Sequence, residues 1–571
     1  MSLQQRNFVL VSCLVALAAC GGTSTLPPAA QTTPAAPTTT SSVSVERVAV
    51  PKEQPPAGGA ARDIHFPPIA RATTTSGLEV NTVTLHGLPA LQVKLVVKSG
   101  SASDPEDMPG MAELVAQMLK EGTTKKSSAK IAETVDFLGA RLGISNDEEH
   151  VEIDMKALSD QLKDALSLVA ELATQPTFDE KELAKLKKRE LDRLSLMSQS
   201  PSFLARREFY KALYGNHPYA HVDTTKDVVK RVRRSALQRW HQQHFSPNNA
   251  YLVIVGDVTP DAVMAAANRA FKDWAPRKLP EFAYPPVPTR ASREIVLVDR
   301  PDSVQSVIYV GNVALARKDP AFVPLTVANE VLGGSAAARL FMDLRERQSL
   351  TYGAYSDVDT GLQPVPFRAF AAVRNEVTAQ AMKALMGHLT RIAAEPAGAT
   401  ELTDAKRLLI DSFPLHIETS GEIAGLISEL RAYGFPDNYW DGYRAEIQAV
   451  NADQALTAAK QYIRADKALI VVVGKAAAVK EALSAYGAVK VIDTEGKVLV
   501  ETAAAQKTES TTAVPAPPAP APAAPTAATT APATAAAKAA TAKAATAKAA
   551  TATAAPAAVA PAAPTAPAKE K

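Results

Sequence analysis

The stretch Gly110–Thr123, G-M-A-E-L-V-A-Q-M-L-K-E-G-T, decides the reading of this chain. Met111, Leu114, Val115, Met118 and Leu119 recur at helical spacing and form one apolar stripe. Asp104, Glu106, Asp107 and Pro109 precede the stripe, which suits a helix N-terminus, and Gly122 stops it. Glu113 and Gln117 are four apart, so they share a face and can meet over one point. Two side chains so placed are what a metal site on a helix requires.

The surroundings of this helix read as a duplication. Tyr251–Gly256, Y-L-V-I-V-G, is an apolar strand followed by a helix at Pro260–Trp274; Ala468–Gly474, A-L-I-V-V-V-G, repeats the pattern with a helix at Ala477–Tyr486. Gly474 lies 218 positions after Gly256, so two homologous halves of about that length are expected. Pro276–Pro288 marks their join. In the first half, Leu78–His86 and Leu91–Ser99 read as a hairpin around Gly87-Leu88-Pro89. Helices at 128–139, 158–174 and 179–197 and strands at 141–145 and 150–157 follow. The second half offers strands at Glu294–Asp299, Ser303–Asn312 and Phe367–Val373 and a helix at 319–332. Helices alternating with antiparallel pairs predict an α+β fold: two homologous halves, each an antiparallel sheet with helices packed on one face, forming a clam-like pair.

The frame of Gly110–Thr123 resembles the zinc helix of the pitrilysin/insulinase family of metallopeptidases, roughly G-L-A-H-F-L-E-H-M-L-F-x-G-T with the core H-x-x-E-H. Gly110, Ala112, Met118, Gly122 and Thr123 match. The three chemical positions do not: the first His is Glu113, the Glu is Ala116 and the second His is Gln117. The third ligand of the family, a Glu on a later long helix, falls closest to Asp192, with Glu190 beside it. Catalytic zinc wants three ligands from His, Glu, Asp or Cys and an open water position. Gln117 is a poor ligand, and Ala116 lacks the carboxylate that deprotonates metal-bound water, a loss of about 100- to 10,000-fold by itself. These are degenerate positions, and no metal is expected in this chain.

The resemblance extends over about residues 75–490, through N-H-P-Y at Asn216–Tyr219, F-S-P-N-N-A-Y-L-V-I-V-G-D at Phe245–Asp257 and L-R-E-R-Q-S-L-T-Y-G at Leu344–Gly353. Within the last, Arg345 and Tyr352 match a family pair, seven apart, that reaches the active site from the second half. Guanidinium suits peptide carbonyls or a carboxylate, and a phenol donates to a developing oxyanion. Among the histidines, His241 and His244 in W-H-Q-Q-H have helical spacing but no acidic residue between them; His217 reads as structural and His150 as a strand-surface residue.

Outside the halves, Arg6 and the apolar run Phe8–Ala19 read as an export signal, ending in L-A-A-C at Leu17–Cys20. This resembles the bacterial lipobox, in which the Cys is lipidated, and Gly21 after it suggests the outer membrane. Residues 21–62 and 503–571 are rich in Ala, Pro and Thr and cannot bury a core. The expected plan is a signal at 1–20, a tether at 21–62, a peptidase-like domain at 63–275, a linker at 276–290, a second such domain at 291–502 and a tail at 503–571. Net charge is only +3 over 571 residues, which gives no basis for nucleic-acid binding, and the two cysteines exclude a thiolate metal cluster.

A lost metal half beside a kept Arg/Tyr half resembles the non-catalytic subunit of heterodimeric family members. The resemblance therefore implies a periplasm-facing envelope lipoprotein that binds peptide substrates, with zinc supplied by a homologous partner. A partner-free peptide-binding scaffold and a zinc endopeptidase with altered ligands are the alternatives.

Overall fold

The structure, a computed structural model, describes residues 64–501. The export signal with Cys20, the tether and the whole tail lie outside the described residues. Among the described residues no helix is long and apolar enough to cross a membrane.

The first half holds β1 (Ala70–Thr73), β2 (Glu79–Thr84), β3 (Ala90–Val97), β4 (Arg141–Asn146), β5 (Val151–Leu158) and β6 (Ala250–Gly256). The second holds β7 (Glu294–Asp299), β8 (Gln305–Val313), β9 (Thr351–Val358), β10 (Pro366–Arg374), β11 (Leu469–Gly474), β12 (Val489–Ile492) and β13 (Val498–Glu501). The sheets run β1-β2-β6-β3-β5-β4 and β13-β12-β7-β11-β8-β10-β9. The run β2-β6-β3-β5-β4 is repeated as β7-β11-β8-β10-β9, so the duplication read from two glycines extends to the whole topology.

Two expectations need correction. The first is the hairpin: β2 and β3 do not pair, because β6 lies between them, parallel to β2 and antiparallel to β3. The cause is legible in β6 itself. All seven of its residues are buried, a continuous apolar run that belongs at a sheet centre rather than an edge. Each sheet is therefore mixed, with β7 likewise parallel to β11 and β12.

The second is the single helical face. Both sheets are covered on both sides, and the second cover is exchanged between halves. Pro201–Tyr214, a helix of the first half, packs Leu204 and Ala205 against Val298, Val307, Val473 and Ile492, and Phe209 and Leu213 against Leu469 and Val471. Ser420–Tyr433, a helix of the second half, packs Ile423, Ala424, Ile427 and Leu430 against Val83, Val96, Tyr251, Val253 and Val255. The two helices begin 219 positions apart, so they are the same element of the duplicated unit. Polar contacts follow the same paths: Tyr214 Oη donates to Pro364 O at 2.8 Å, and Tyr251 Oη to Ser428 O at 3.1 Å. Each fully buried large apolar side chain contributes about 1.5–3 kcal/mol. The two homologous halves of this α+β fold are held together by the exchange.

Candidate functional site

The organising helix spans Met111–Leu119, shorter at its C-terminal end than the sequence stretch, and buries Met111, Ala112, Leu114, Val115, Ala116, Met118 and Leu119. Its start is fixed by Asp104, whose carboxylate accepts from the backbone N–H of Gly110 at 2.7 Å and of Ala112 at 2.8 Å. Gly110 has φ 91°, and a Cβ there would lie 2.3 Å from Thr224 Cβ. Glycine is required by both conformation and space.

Glu113 and Gln117 meet as their spacing predicts: Gln117 Nε2 donates to Glu113 Oε1 at 3.1 Å. Ala116, where the family has its general base, is 1% exposed and part of the core. The same Glu113 oxygen faces a second donor, Arg193 Nη2, at 3.4 Å. Arg193 comes from the long helix Glu180–Met197. Its Nε donates to Glu190 Oε2 at 2.6 Å, and Nη1 and Nη2 form a two-pronged pair with Asp223 at 2.9 and 2.7 Å. Glu190 and Asp223 are buried, whereas the Glu113 side chain is 26% exposed. Burial pushes the Glu113 carboxyl up to about 7; Asp223 and Glu190 add to the rise, and Arg193 and the Gln117 amide oppose it. One guanidinium thus faces three carboxyl groups.

The structure also decides between the two acids on the long helix. Asp192 is exposed and makes no recorded contact with Glu113 or Gln117, whereas Glu190, two residues earlier, is buried and faces the cluster through Arg193. The expected degenerate position, Asp192, thus lies outside this cluster, and Glu190 lies within it. These residues do not fit zinc. Gln117 is spent on Glu113, a permanently charged guanidinium stands among the carboxylates, and among the described residues no group of three or more His, Cys, Asp or Glu side chains is placed to hold a metal ion.

The histidines are structural. His241 Nε2 pairs with Ala173 O at 2.8 Å and His244 Nδ1 with Ser99 Oγ at 3.0 Å, and burial lowers both rings to about 4. His217 Nδ1 accepts from Tyr219 N at 3.2 Å, where it caps a short turn. His150 is not a strand-surface residue: it precedes β5, its side chain is 12% exposed, and it lies 3.4 Å from Asp147.

In the second half, Arg345 sits in a π-helical turn, Met342–Arg347, and Tyr352 on β9 at the sheet edge. Such turns recur at functional sites. The Arg345 guanidinium lies 4.8 Å from the Phe341 ring centre and is half-exposed, 3.4 Å from the equally exposed Glu346. Tyr352 is 89% exposed, and among the described residues its hydroxyl makes no hydrogen bond. Between them Ser349 adopts φ 52°, a strained conformation for a residue with a Cβ, with its N–H held by Arg345 O at 3.0 Å. Asp343 of the same turn is anchored by His388 Nε2 at 2.7 Å. No hydrogen bond or ion pair among the described residues joins Arg345 or Tyr352 to the Glu113 cluster. Sequence reasoning missed Arg193, Asp223 and His388.

Fold and site together define a duplicated α+β protein of metallopeptidase design whose metal helix carries no zinc ligand set. Comparison with known proteins agrees. Residues 82–222 match the family described as insulinase (peptidase family M16), and residues 231–409 match the peptidase M16 inactive domain. An uncharacterized zinc protease of Bacillus subtilis, YmxG, is 22% identical over 71% of this chain and 98% of its own length. A non-peptidase homolog of Helicobacter pylori is 24% identical over 64% of this chain and 84% of its own. Among solved structures, a peptidase M16 inactive domain from Pseudomonas fluorescens superposes with a TM-score of 0.67 at 27% identity, covering 71% of this chain and 98% of that one. This chain belongs to the insulinase (M16) family of peptidases.

Proposed function

We propose that this chain is the non-catalytic, substrate-binding member of a two-chain zinc endopeptidase that acts on unfolded peptides in the cell envelope. The observation that carries the reading is the asymmetry between halves. On the metal helix Glu113 is held by both Gln117 and Arg193, while Arg345 and Tyr352 remain half and almost fully open. Tyr352 lies on an unpaired sheet edge, a surface to which an extended peptide adds by backbone hydrogen bonds. The likeness to an inactive domain and to a non-peptidase homolog supports the same reading.

In this proposal Arg345 holds a carbonyl or carboxylate of the bound peptide. The Tyr352 hydroxyl, without a hydrogen-bond partner among the described residues, donates to the oxygen that becomes negative at the scissile bond. The partner, a homologue with an intact H-x-x-E-H helix, supplies zinc and activates water. The lipobox-like Leu17–Cys20 would hold the assembly on a membrane, outer and periplasm-facing, through lipid at Cys20.

The test mixes the purified chain with such a homologue from the same organism and follows a quenched fluorescent peptide. Cleavage should need both chains. Tyr352→Phe and Arg345→Ala should each lower it; if the mixture keeps full activity with both substitutions, the proposal is wrong.

A further inference from the structure

The two helix positions that the resemblance assigns to zinc, Glu113 and Gln117, are faced in this chain by the side chain of Arg193. Glu113 Oε1 is the point at which the two helix positions, i and i+4, converge, and Arg193 Nη2 lies against that same oxygen. Three further guanidinium N–H groups are used by Glu190 and Asp223, whose side chains are 5% and 8% exposed. All three carboxyl groups around the tip are within 3.4 Å of an Arg193 nitrogen. A planar cation with directed donors has no tetrahedral vacancy, and its positive charge repels a metal ion at contact distance.

We infer that Arg193 is the resident cation of the former metal seat. Restoring the H-x-x-E-H residues on the helix would therefore not restore zinc binding unless Arg193 is also removed, after which Glu190 supplies the third ligand. The inference concerns only the Glu113 cluster. It does not depend on the partner or substrate proposed above, and either can fail without the other.

The experiment uses the full chain in five forms: the parent; Glu113→His/Ala116→Glu/Gln117→His; the same triple with Arg193→Ala; that quadruple with Glu190→Gln; and the quadruple with Asp192→Asn. Zinc per chain is measured by mass spectrometry after dialysis, and melting temperature is measured with and without zinc chloride. The quadruple should retain about one zinc per chain and melt higher with zinc, and its Asp192→Asn form should behave identically. The triple should bind more than about 100-fold more weakly, and Glu190→Gln should return the quadruple towards the triple. A triple that holds zinc as tightly as the quadruple overturns the inference, and so does a folded quadruple that holds none.

A second measurement guards against poor folding of the reconstructed helix. In the otherwise unchanged chain, Arg193→Ala leaves Glu113, Glu190 and Asp223 without a cation. It should lower the melting temperature at pH 8, and adding Glu113→Gln should recover part of the loss. An Arg193→Ala chain that melts with the parent refutes the role of resident cation.

Discussion

Replacing Phe209 by alanine tests whether the halves are one structural unit. Phe209 belongs to the first half by sequence, but its ring lies on the second sheet. It is fully buried, its centroid is 5.9 Å from that of Tyr309 on β8, and a Cβ built on Gly311 of β8 would be 3.0 Å from its Cζ. Truncating so large a buried ring should cost about 3–5 kcal/mol. The chain contains its own reporters: Trp240 and Trp274 sit in the first half's core, and Trp440 lies in the cluster between Ser420–Tyr433 and the first sheet. Trp440→Phe leaves only first-half fluorescence, and Trp240→Phe/Trp274→Phe leaves only Trp440. In urea, Phe209→Ala should lower both midpoints together by about 1 M, taking m as roughly 4 kcal/mol/M for a chain of this size. Phe137→Ala, at an 89% exposed position, should stay within about 0.5 kcal/mol of the parent. Separate transitions for the two reporters, or a shift confined to one of them, would refute the interlocked arrangement.

The other expectations follow from the same geometry. Tyr352→Phe removes a hydroxyl without a partner, and Arg345→Ala removes a long, exposed ion pair and a ring contact; stability should change by about 0 and less than about 1 kcal/mol respectively, whereas two-chain cleavage should fall by about 100-fold or more for Tyr352→Phe. Equal losses of melting temperature and activity would count against a substrate role. Glu113 holds its proton up to about 7 in the fold against an ordinary 4.5, so its contribution to stability is full below pH 4.5 and is lost as pH rises through 7. Glu113→Gln cannot ionise and should gain about 1–3 kcal/mol on the parent at pH 8 but nothing at pH 4.5, read from urea curves across that range; a gain independent of pH would contradict this. Gly256, at φ 153° with Ala90 O 2.2 Å from a would-be Cβ, should not accept alanine, and Gly256→Ala should lose more than about 3 kcal/mol in the same assay.

How far the sequence carried the reading depends on whether the signal was local. The stripe of Met111, Leu114, Val115, Met118 and Leu119 fixed a helix because its period is its own property. The ending shared by Tyr251–Gly256 and Ala468–Gly474 exposed the duplication for the same reason. The pairing of β6 between β2 and β3 was not legible, because adjacent apolar runs around a Gly-Leu-Pro turn look the same whether they pair with each other or with a strand 160 residues on. Its central place was nonetheless implicit in seven consecutive residues with no polar alternation. The exchange helices were invisible for a related reason: an amphipathic face does not say which sheet it covers.

The site shows the same limit at finer scale. Glu113 and Gln117 met because four residues of helix bring them together, and no tertiary information was needed. Choosing between Glu190 and Asp192 required knowing which side of the Glu180–Met197 helix turns inward, and the surrounding K-K-R-E-L-D-R gives no apolar stripe sharp enough to say. Yet that run held a clue. A metal ligand at Glu190 would place Arg193 one turn further along the same face, where a cation beside a metal is repelled. In this chain the two acids, Glu113 and Glu190, share that one guanidinium. Once a guanidinium balances the buried acids, the histidines have no metal to hold, and a carboxylate at the Ala116 position would only add uncompensated negative charge. The degenerate motif reads as a seat whose buried acids are balanced by a guanidinium.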